Sequence, residues 1–294
     1  MSEADGYTIE VEGNEIRVTN PDKLLWPEAG IRKATYLQKL VALSPYLLPY
    51  CRRRYMTTIR YPDGAGGKAF YQKRAPEPLP EFVHTAVREQ VRYVVVDSLP
   101  TLLWLGNLAV LEFHPSFEYT GGEEPAEWVL DIDPSEALRG RLMEAVSLIG
   151  EALEGMGIGS VPKTSGATGV QIVIPIEAGY SFAELRKAGA FVGKYVSEKY
   201  PNLFTVERLI KNRGDRIYVD YVQHAPGKSL SAPYTPRGRP EATVSTPLTW
   251  DEVRQGADPR DYTLLTIERR LAAKGDLIAD MPKQSLADIL QFLQ

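Results

Sequence analysis

Cysteine, histidine and long apolar runs are scarce in this 294-residue chain, and each scarcity excludes a kind of protein. The single cysteine, Cys51, cannot form an intramolecular disulfide, which indicates a reducing compartment. Three histidines, none paired at helical spacing, exclude a structural zinc site. No stretch approaches the roughly 18 apolar residues of a membrane span, and the polar start with Ser2, Glu3 and Asp5 is unlike a signal peptide. We therefore expect a cytoplasmic protein that makes no use of a membrane.

An excess of positive charge is also lacking. Lysine and arginine number 34 against 38 aspartates and glutamates, a net charge of −4, so any surface for nucleic acid must be local. Neither a repeat of fixed period nor a low-complexity tract is present, which argues against solenoids. A hydrophobic content of 44% supports a large core. We predict one domain over residues 1–294.

Strand-like and helix-like segments alternate along the chain without a regular βαβ rhythm. Short β-branched or alternating runs predict strands at residues 7–19, 91–97, 128–133, 170–176 and 216–222. Helical spacing predicts helices at 34–50, within 99–113, and at 139–156, 182–200, 262–274 and 285–294. Pro45 should kink or split the first of these helices. The interleaving predicts a mixed α+β protein with substantial antiparallel sheet.

Two aspartates lie two positions apart in the strand-like segment 128–133. Side chains at such positions point to one face of a strand, so Asp131 and Asp133 would lie side by side. Two carboxylates this close repel each other unless a cation lies between them, and oxygen ligands suit Mg²⁺ or Mn²⁺. A structural alternative stays open, because Asp133, Pro134 and Glu136 also form a good helix start with Asp133 as the N-cap.

A third aspartate, Asp220, lies in an apolar and aromatic strand-like segment. An unpaired carboxylate there is costly to bury, so Asp220 needs a partner. Three aspartates on strands that meet at one edge would form a two-cation site for phosphoryl transfer. The alternative is a salt bridge from Asp220 to Arg213 or Arg216.

A loop of small and hydroxyl residues at 163–169 separates two strand-like segments. Its backbone N–H groups are able to approach phosphates, although it lacks the spacing of a Walker A loop and also suits an ordinary hairpin turn. His114 follows an apolar run, where a lone histidine is usually a hydrogen-bonded structural residue. Neither feature alone identifies a site.

Basic residues cluster locally, and one cluster, at 68–74, contains Phe70 and Tyr71. Basic groups beside aromatic rings are the elements with which proteins hold a phosphate backbone and stack a base. Arg213 and Arg237 flank the Asp220 segment in sequence, so their guanidinium groups are candidates for phosphate contacts.

Seven motifs occur in one order along the chain. They are Asn20-Pro21-Asp22-Lys23-Leu24-Leu25-Trp26-Pro27-Glu28, Phe70-Tyr71-Gln72-Lys73, Leu111-Glu112-Phe113-His114-Pro115, Asp131-Ile132-Asp133-Pro134, Lys163-Thr164-Ser165-Gly166, Tyr218-Val219-Asp220-Tyr221 and Ala232-Pro233-Tyr234-Thr235-Pro236-Arg237. This series resembles the polymerase domain of bacterial and archaeal ligase D, the end-joining branch of the archaeo-eukaryotic primase superfamily. The resemblance covers nearly the whole chain.

The resemblance implies a primase-like fold, two β-sheet-containing layers with a central catalytic cleft. It also implies site residues: metal ligands Asp131, Asp133 and Asp220 for two Mn²⁺ or Mg²⁺ ions; nucleotide contacts His114, Ser165, Gln171, Arg213, Arg237 and Arg60; 5′-phosphate contacts Lys23 and Lys33; and template-stacking residues Phe70 and Tyr71. At two places the chain departs from the family, which commonly has a lysine and a histidine where Thr168 and Gln171 stand. We expect retained activity with altered nucleotide affinity or metal preference.

The activity implied by the resemblance is repair of DNA double-strand breaks. A polymerase of non-homologous end joining would extend 3′-hydroxyl ends and fill gaps near a 5′-phosphate, with a preference for ribonucleotides. Its partners would be DNA ends, NTPs or dNTPs, Ku and a separate ligase, since no Lys-x-Asp-Gly ligase motif occurs here, and it would act at the nucleoid. The alternatives are a primase that starts chains without a primer, a non-catalytic DNA-end-binding module, and a metal-dependent nuclease.

Overall fold

The structure, a computed structural model, describes residues 6–294, so the acidic start of the chain lies outside the described residues. The strands and helices of the first half are β1 (Gly6–Val11), β2 (Asn14–Thr19), β3 (Leu24–Trp26), β4 (Ile31–Arg32), α1 (Lys33–Cys51), β5 (Arg54–Arg60), β6 (Phe70–Gln72), β7 (Thr85–Arg88), β8 (Val91–Val94), α2 (Leu99–Asn107), β9 (Val110–Tyr119) and β10 (Glu127–Asp133). The second half contains α3 (Leu142–Gly155), β11 (Val161–Thr164), β12 (Val170–Pro175), α4 (Phe182–Lys199), β13 (Phe204–Thr205), α5 (Ile210–Arg213), β14 (Ile217–Asp220), α6 (Trp250–Arg254), α7 (Ile267–Lys274) and α8 (Ala287–Phe292). Within the described range, no helix combines the length and the apolar character needed to cross a bilayer.

The contacts of the chain define two compact units. The first unit comprises the chain up to Ser116 together with Ser229–Ser245 and Tyr262–Ala272. Its main sheet has the order β6-β5-β8-β7, with β9 also paired to β5. Helices α1 and α2 pack closely, because α2 presents Gly106, whose Cβ, if it had one, would lie 2.6 Å from Leu40 Cδ1. The fully buried leucines of α1 contribute to the core of this unit.

Helix α1 continues through Pro45 and Pro49 without a break, so of the kink or split expected at Pro45 the split does not occur. Proline lacks the N–H that would bond the carbonyl four residues earlier, which here belongs to Val41. The Ser44 hydroxyl donates a hydrogen bond to that carbonyl oxygen at 2.8 Å instead. A neighbouring side chain therefore satisfies the acceptor that proline leaves unpaired.

The second unit comprises Phe117–Lys228, Thr246–Asp261 and Ala273–Gln294. Its five-stranded sheet has the order β11-β12-β10-β14-β13, antiparallel except for the parallel pair of β13 and β14. Trp128, Leu130 and Ile132 of β10 are fully buried, and helices α3 and α4 pack together beside the sheet. The mixed α+β class and the strands predicted at 128–133, 170–176 and 216–222 are confirmed.

The alternative in which Asp133 is the N-cap of a helix is wrong. Asp133 is the last residue of β10, and a 3₁₀ helix, Glu136–Arg141, begins after Ser135 and leads into α3. Strand pairing fixes the end of β10, because Asp133 lies opposite Tyr218 of β14. The segment at 7–19 also differs from expectation, since a turn with positive φ at Glu12 and Gly13 divides it into the hairpin of β1 and β2.

Candidate active site

The three predicted metal ligands lie on two neighbouring strands of the second unit. Asp131 of β10 is directly opposite Asp220 of β14, and Asp133 follows on the same face of β10. Opposed residues of an antiparallel pair have their Cβ atoms roughly 5 Å apart. The register therefore brings together carboxylates that are distant in sequence, and we name Asp131, Asp133 and Asp220 the acidic cluster.

Negative charge accumulates in the acidic cluster. Burial, with the nearby charges of Asp133 and Asp220, raises the pKa of Asp131 well above its ordinary value. Burial and the charge of Asp220 likewise raise the pKa of Asp133, while the charge of Arg213 opposes this shift. Ionising all three carboxylates therefore requires additional positive charge beside them.

Lys163 and Gln171 form a buried polar pair next to Asp131. Gln171 of β12 is the cross-strand neighbour of Asp131 on one side and of Lys163 on the other. The Lys163 ammonium donates to Gln171 Oε1, which orients the amide so that its NH₂ group hydrogen-bonds the Asp131 carboxylate. The hydrogen bond from Gln171 and the charge of Lys163 both favour the ionised form of Asp131.

The loop at 163–169 connects β11 to β12 and lies against the acidic cluster. Ser165 Oγ accepts hydrogen bonds from the backbone N–H groups of Ala167 and Gly169, each at 3.1 Å. A Cβ on Gly169 would lie 2.7 Å from the Ile132 carbonyl oxygen and 3.0 Å from Asp133 Oδ1. The loop is therefore a hairpin connection, and its backbone at Gly169 lies against the end of β10.

Asp220 is held by its own strand end. Its Oδ1 accepts hydrogen bonds from the N–H groups of Val222 at 2.9 Å and Gln223 at 2.8 Å. The two arginines considered as salt-bridge partners donate to backbone carbonyl oxygens instead. Arg213 bonds those of Glu207 and Arg208, and Arg216 bonds those of Asn212 and Arg213. These hydrogen bonds therefore stabilise α5 and its flanking turns.

The donor set of the acidic cluster fits a hard divalent cation. Its donors are carboxylate oxygens that repel one another, which is the chemistry that Mg²⁺ and Mn²⁺ stabilise. Among residues 6–294, no group of three or more Asp, Glu, His or Cys side chains is arranged so that it could hold a metal ion by itself. Such ions usually complete their coordination with water and substrate phosphates rather than with an all-protein cage.

In the first unit, Glu112 joins two of the predicted nucleotide contacts. Glu112 and His114 lie two residues apart on β9 and hydrogen-bond through Glu112 Oε2 and His114 Nε2 at 3.0 Å. The same oxygen accepts from Arg237 Nε at 2.8 Å. His114 and Arg237, distant in sequence, are thus brought to one place.

The predicted template-stacking pair forms an exposed surface on β6. The Phe70 side chain is 40% exposed and that of Tyr71 is 74% exposed, which is unusual for large aromatic rings. Arg60 is the cross-strand neighbour of Phe70, and its guanidinium lies 5.3 Å from the Phe70 ring centroid. Arg60 Nε also donates to the Leu108 carbonyl oxygen at 3.0 Å. This bond fixes the guanidinium group beside the Phe70 ring.

The two lysines predicted to contact a 5′-phosphate are adjacent but differ in exposure. The backbone N–H of Lys33 donates to the Lys23 carbonyl oxygen at 2.8 Å. Lys23 is exposed, whereas Lys33 is 4% exposed and its ammonium donates to the carbonyl oxygens of Thr19 and Asn107 at 2.7 and 2.8 Å. Burial, with the charge of Lys23, lowers the pKa of Lys33 to about 8.

Sequence reasoning missed Glu112, Lys163 and Tyr218. Glu112 stands between the apolar Leu111 and Phe113, which is the same signal of a buried carboxylate that identified Asp220. Lys163 had no such signal, because its partner Gln171 is fixed by strand pairing. Tyr218 supports the Arg213 guanidinium, which lies 3.7 Å from its ring centroid.

The chain has two open five-stranded sheets, one of which carries aspartates on adjacent antiparallel strands, and its similarity to a solved ligase D polymerase domain places it in the class of primase-like folds. The family model of the LigD primase-polymerase domain matches residues 32–278, so the chain belongs to the LigD primase-polymerase family. The resemblance noted from the motifs is thereby confirmed.

Relatives and a solved structure agree with this assignment. The bifunctional non-homologous end joining protein LigD of Bacillus subtilis is 37% identical over 265 residues, which cover 89% of this chain and 43% of the relative. The multifunctional LigD protein of Mycolicibacterium smegmatis is 28% identical over 276 residues, 90% of this chain and 36% of the relative. The polymerase domain of Mycobacterium tuberculosis ligase D in complex with DNA superposes with a TM-score of 0.83 at 26% identity, covering 91% of this chain and 99% of that one. The chain thus spans less than half the length of the Bacillus subtilis and Mycolicibacterium smegmatis proteins.

Proposed function

We propose that this chain is a DNA repair polymerase of non-homologous end joining, which extends a 3′-hydroxyl and fills gaps near a 5′-phosphate with a preference for ribonucleotides. The observation that carries the proposal is the register that sets Asp131 opposite Asp220 on strands of a LigD primase-polymerase fold. The similarity to a polymerase domain in complex with DNA supports the substrate class.

In this proposal, Asp131, Asp133 and Asp220 hold two divalent ions, Mn²⁺ or Mg²⁺. Such ions, when bound, would lower the pKa of the attacking hydroxyl and would stabilise the negative charge on the departing pyrophosphate. The chain's own contribution is to fix the ligands. Gln171 orients the Asp131 carboxylate, and backbone N–H groups hold Oδ1 of Asp220. The reaction is in-line attack of the primer 3′-hydroxyl on the α-phosphate of the nucleotide.

Nucleotide and DNA contacts are proposed on the remaining predicted residues. The nucleotide would meet His114, Ser165, Gln171, Arg213, Arg237 and Arg60, which supply hydrogen bonds and positive charge for its phosphates. Lys23 and Lys33 would form the 5′-phosphate site, and the exposed rings of Phe70 and Tyr71 would stack with template bases. Ku and a separate ligase are the proposed partners, at the nucleoid.

The deciding experiment incubates a gapped, 5′-phosphorylated duplex with each nucleotide pool and with Mg²⁺ or Mn²⁺, and measures product length on a gel. We expect extension that a chelator abolishes, and more product from ribonucleotides. Asp131→Ala should eliminate extension while DNA binding stays within about twofold of the parent chain, because a neutral methyl removes a ligand without touching the basic surface. Full activity in that variant would refute the metal assignment.

The same assay separates the rival activities. Products formed from template and nucleotides without a primer would identify a primase. Shortened labelled ends would identify a nuclease, and end binding without incorporation would identify a non-catalytic module.

Gln171 provides a second test of the nucleotide site. Gln171 is buried and can donate a hydrogen bond, but it does not titrate. Gln171→His should change the KM for the nucleotide or the preferred metal. An unchanged KM with both metals would contradict the role assigned to this position.

A further inference from the structure

Glu112 is a carboxylate in the buried first part of β9, where the residues on both sides of it are apolar. Its neighbours on β9, Leu111 and Phe113, are fully buried, and the Glu112 side chain is 3% exposed. A buried charge is retained only where several donors compensate for its lost hydration. The identity of those donors indicates what the charge does.

Four donors converge on the two oxygens of Glu112. Oε2 accepts from His114 Nε2 at 3.0 Å and from Arg237 Nε at 2.8 Å. Oε1 accepts from the Tyr61 hydroxyl at 2.7 Å and from the Gly238 N–H at 3.0 Å. One carboxylate thus fixes the imidazole of β9, the phenol that follows β5 and a guanidinium from the Ser229–Ser245 segment of the first unit.

These donors outweigh the cost of burial. Burial alone would raise the pKa of Glu112, but the hydrogen bond from His114, the charges of Arg237 and His114, and the Gly238 N–H lower it to about 2. Glu112 is therefore anionic throughout the physiological range. Its charge orients both neighbouring side chains, so that His114 Nε2 and Arg237 Nε face the carboxylate.

The backbone around Arg237 is also held by contacts other than the bond from the Gly238 N–H to Glu112. The Arg237 N–H donates to the Thr243 carbonyl oxygen at 2.8 Å, and the Trp26 indole donates to the Arg237 carbonyl oxygen at 3.0 Å. A Cβ on Gly238 would lie 2.1 Å from the Tyr61 ring, so the chain passes directly over that ring. Several contacts besides Glu112 therefore fix the path of the chain here, so a change of its carboxylate acts mainly on the side chains that it orients.

We propose that Glu112 is a positioning residue of the polymerase, which holds His114 and Arg237 in the orientation that receives the incoming nucleotide. The inference rests on the proposed function, because it assumes that these two side chains contact the nucleotide. Glu112 itself contacts no substrate, and its effect passes through the two side chains that it orients.

The test is Glu112→Gln, measured as KM and kcat for nucleotide incorporation into the gapped duplex. Gln keeps the shape but loses the charge and turns an NH₂ group toward a donor. We expect KM for the nucleotide to rise by about tenfold, in line with losing charged hydrogen bonds, with kcat within about threefold and DNA affinity unchanged. Tyr61→Phe is the matched control: it removes one donor and leaves the bonds to His114 and Arg237, so KM should change less than about threefold.

A readout that does not depend on catalysis accompanies the kinetics. In ¹⁵N-detected NMR, the two ring nitrogens of His114 should change shift in Glu112→Gln and stay unchanged in Tyr61→Phe. If Glu112→Gln does not fold, Glu112→Asp replaces it, since it retains the charge but withdraws the carboxylate by one methylene, and the same rise in KM is expected.

The outcomes separate this inference from the proposed function. An unchanged KM and unchanged His114 signals in an active protein overturn the role of Glu112 and leave the polymerase assignment intact. A fall in kcat alone with constant KM indicates a merely structural role and also overturns the inference. If the parent chain incorporates no nucleotide, the proposed function fails, and unchanged His114 signals in the variant would still overturn the positioning of that ring.

Discussion

Gly169 occupies a position where no other residue fits. The Ile132 carbonyl oxygen and Asp133 Oδ1 fill the space that a Cβ would take. Backbone atoms on β10 cannot move without disturbing the strand that carries the acidic cluster. Because Gly169 has no side chain, the loop is able to lie beside the carboxylates.

We predict that Gly169→Ala loses most of its incorporation activity, at least about tenfold in kcat/KM, with a destabilisation of about 1–3 kcal/mol. Gly155→Ala is the matched control, because nothing lies within 4 Å of its added Cβ. Near the end of α3, this change should leave activity intact and stabilise the chain by about 0.5–1 kcal/mol. Gel assays and urea unfolding measure both effects, and normal activity in Gly169→Ala would contradict the contact.

Lys23 and Lys33 should fail in different ways when each is replaced by alanine. Lys33 bonds backbone carbonyl oxygens inside the first unit, so Lys33→Ala leaves buried acceptors unpaired and should destabilise the chain by about 1–3 kcal/mol. Lys23→Ala should leave stability within about 0.5 kcal/mol and reduce the preference for 5′-phosphorylated over unphosphorylated gaps. Thermal unfolding and binding titrations measure the two effects. Equal loss of stability in both variants would show that the difference in burial is immaterial.

At the scale of elements, the one-turn helix α5 depends on the strand that follows it. The residue before it, Leu209, makes no side-chain cap, and Gly214 ends the helix at φ 59°. The Arg213 guanidinium lies over the ring of Tyr218 on β14, at 3.7 Å from the centroid. The ring thus connects a predicted nucleotide contact to the strand that ends in Asp220.

Tyr218→Phe and Tyr218→Leu separate the ring from its hydroxyl. Among residues 6–294, the Tyr218 hydroxyl makes no hydrogen bond of good geometry, although burial and the nearby Asp220 raise the pKa of the phenol, so Tyr218→Phe should change the KM for the nucleotide less than Tyr218→Leu does. Tyr218→Leu removes the cation–π contact, worth about 0.5–2 kcal/mol, and should raise KM by about two- to thirtyfold. Steady-state kinetics measure both variants. A rise of the same size in Tyr218→Phe would assign the effect to the hydroxyl.

Several elements were predictable because their cause is local. The face shared by Asp131 and Asp133 follows from the period of a strand, and the cap of α4 follows from Ser181 and Glu184. The continuity of α1 was not predictable, because it depends on a single hydrogen bond from the Ser44 hydroxyl to the Val41 carbonyl oxygen.

The composition of the candidate site needed the structure. Pairing of Asp131 with Asp220 depends on a register between strands that are distant in sequence, and local pattern does not determine such a register. The cluster around Glu112 likewise joins segments that only the fold brings together. Residue types were therefore predictable, whereas their partners were not.

For the whole molecule, acid should remove a contribution that Glu112 makes to stability. Its pKa is about 2 in the folded chain against 4.5 for the ordinary group, so the contribution is complete above pH 4.5 and is lost as the pH falls toward 2. The size of the shift corresponds to roughly 3 kcal/mol. Tyr61, His114 and Arg237 face this carboxylate, and none of these three side chains has a carboxyl group.

Urea unfolding at pH 5 and pH 3 measures this dependence. The parent chain should lose more stability between the two values than Glu112→Gln, which has no group to protonate at that position. Parallel losses in the two proteins would show that other carboxyl groups govern acid unfolding.

The buried pair of Lys163 and Gln171 restricts how the chain is able to evolve. The two ends of an amide are chemically different, and here one end accepts from an ammonium while the other donates to Asp131. A replacement at Gln171 that lacks an acceptor removes one partner of a buried cation, so it should cost less stability after Lys163 has changed than before. The two positions should therefore show epistasis, with the order of substitution deciding which intermediates survive.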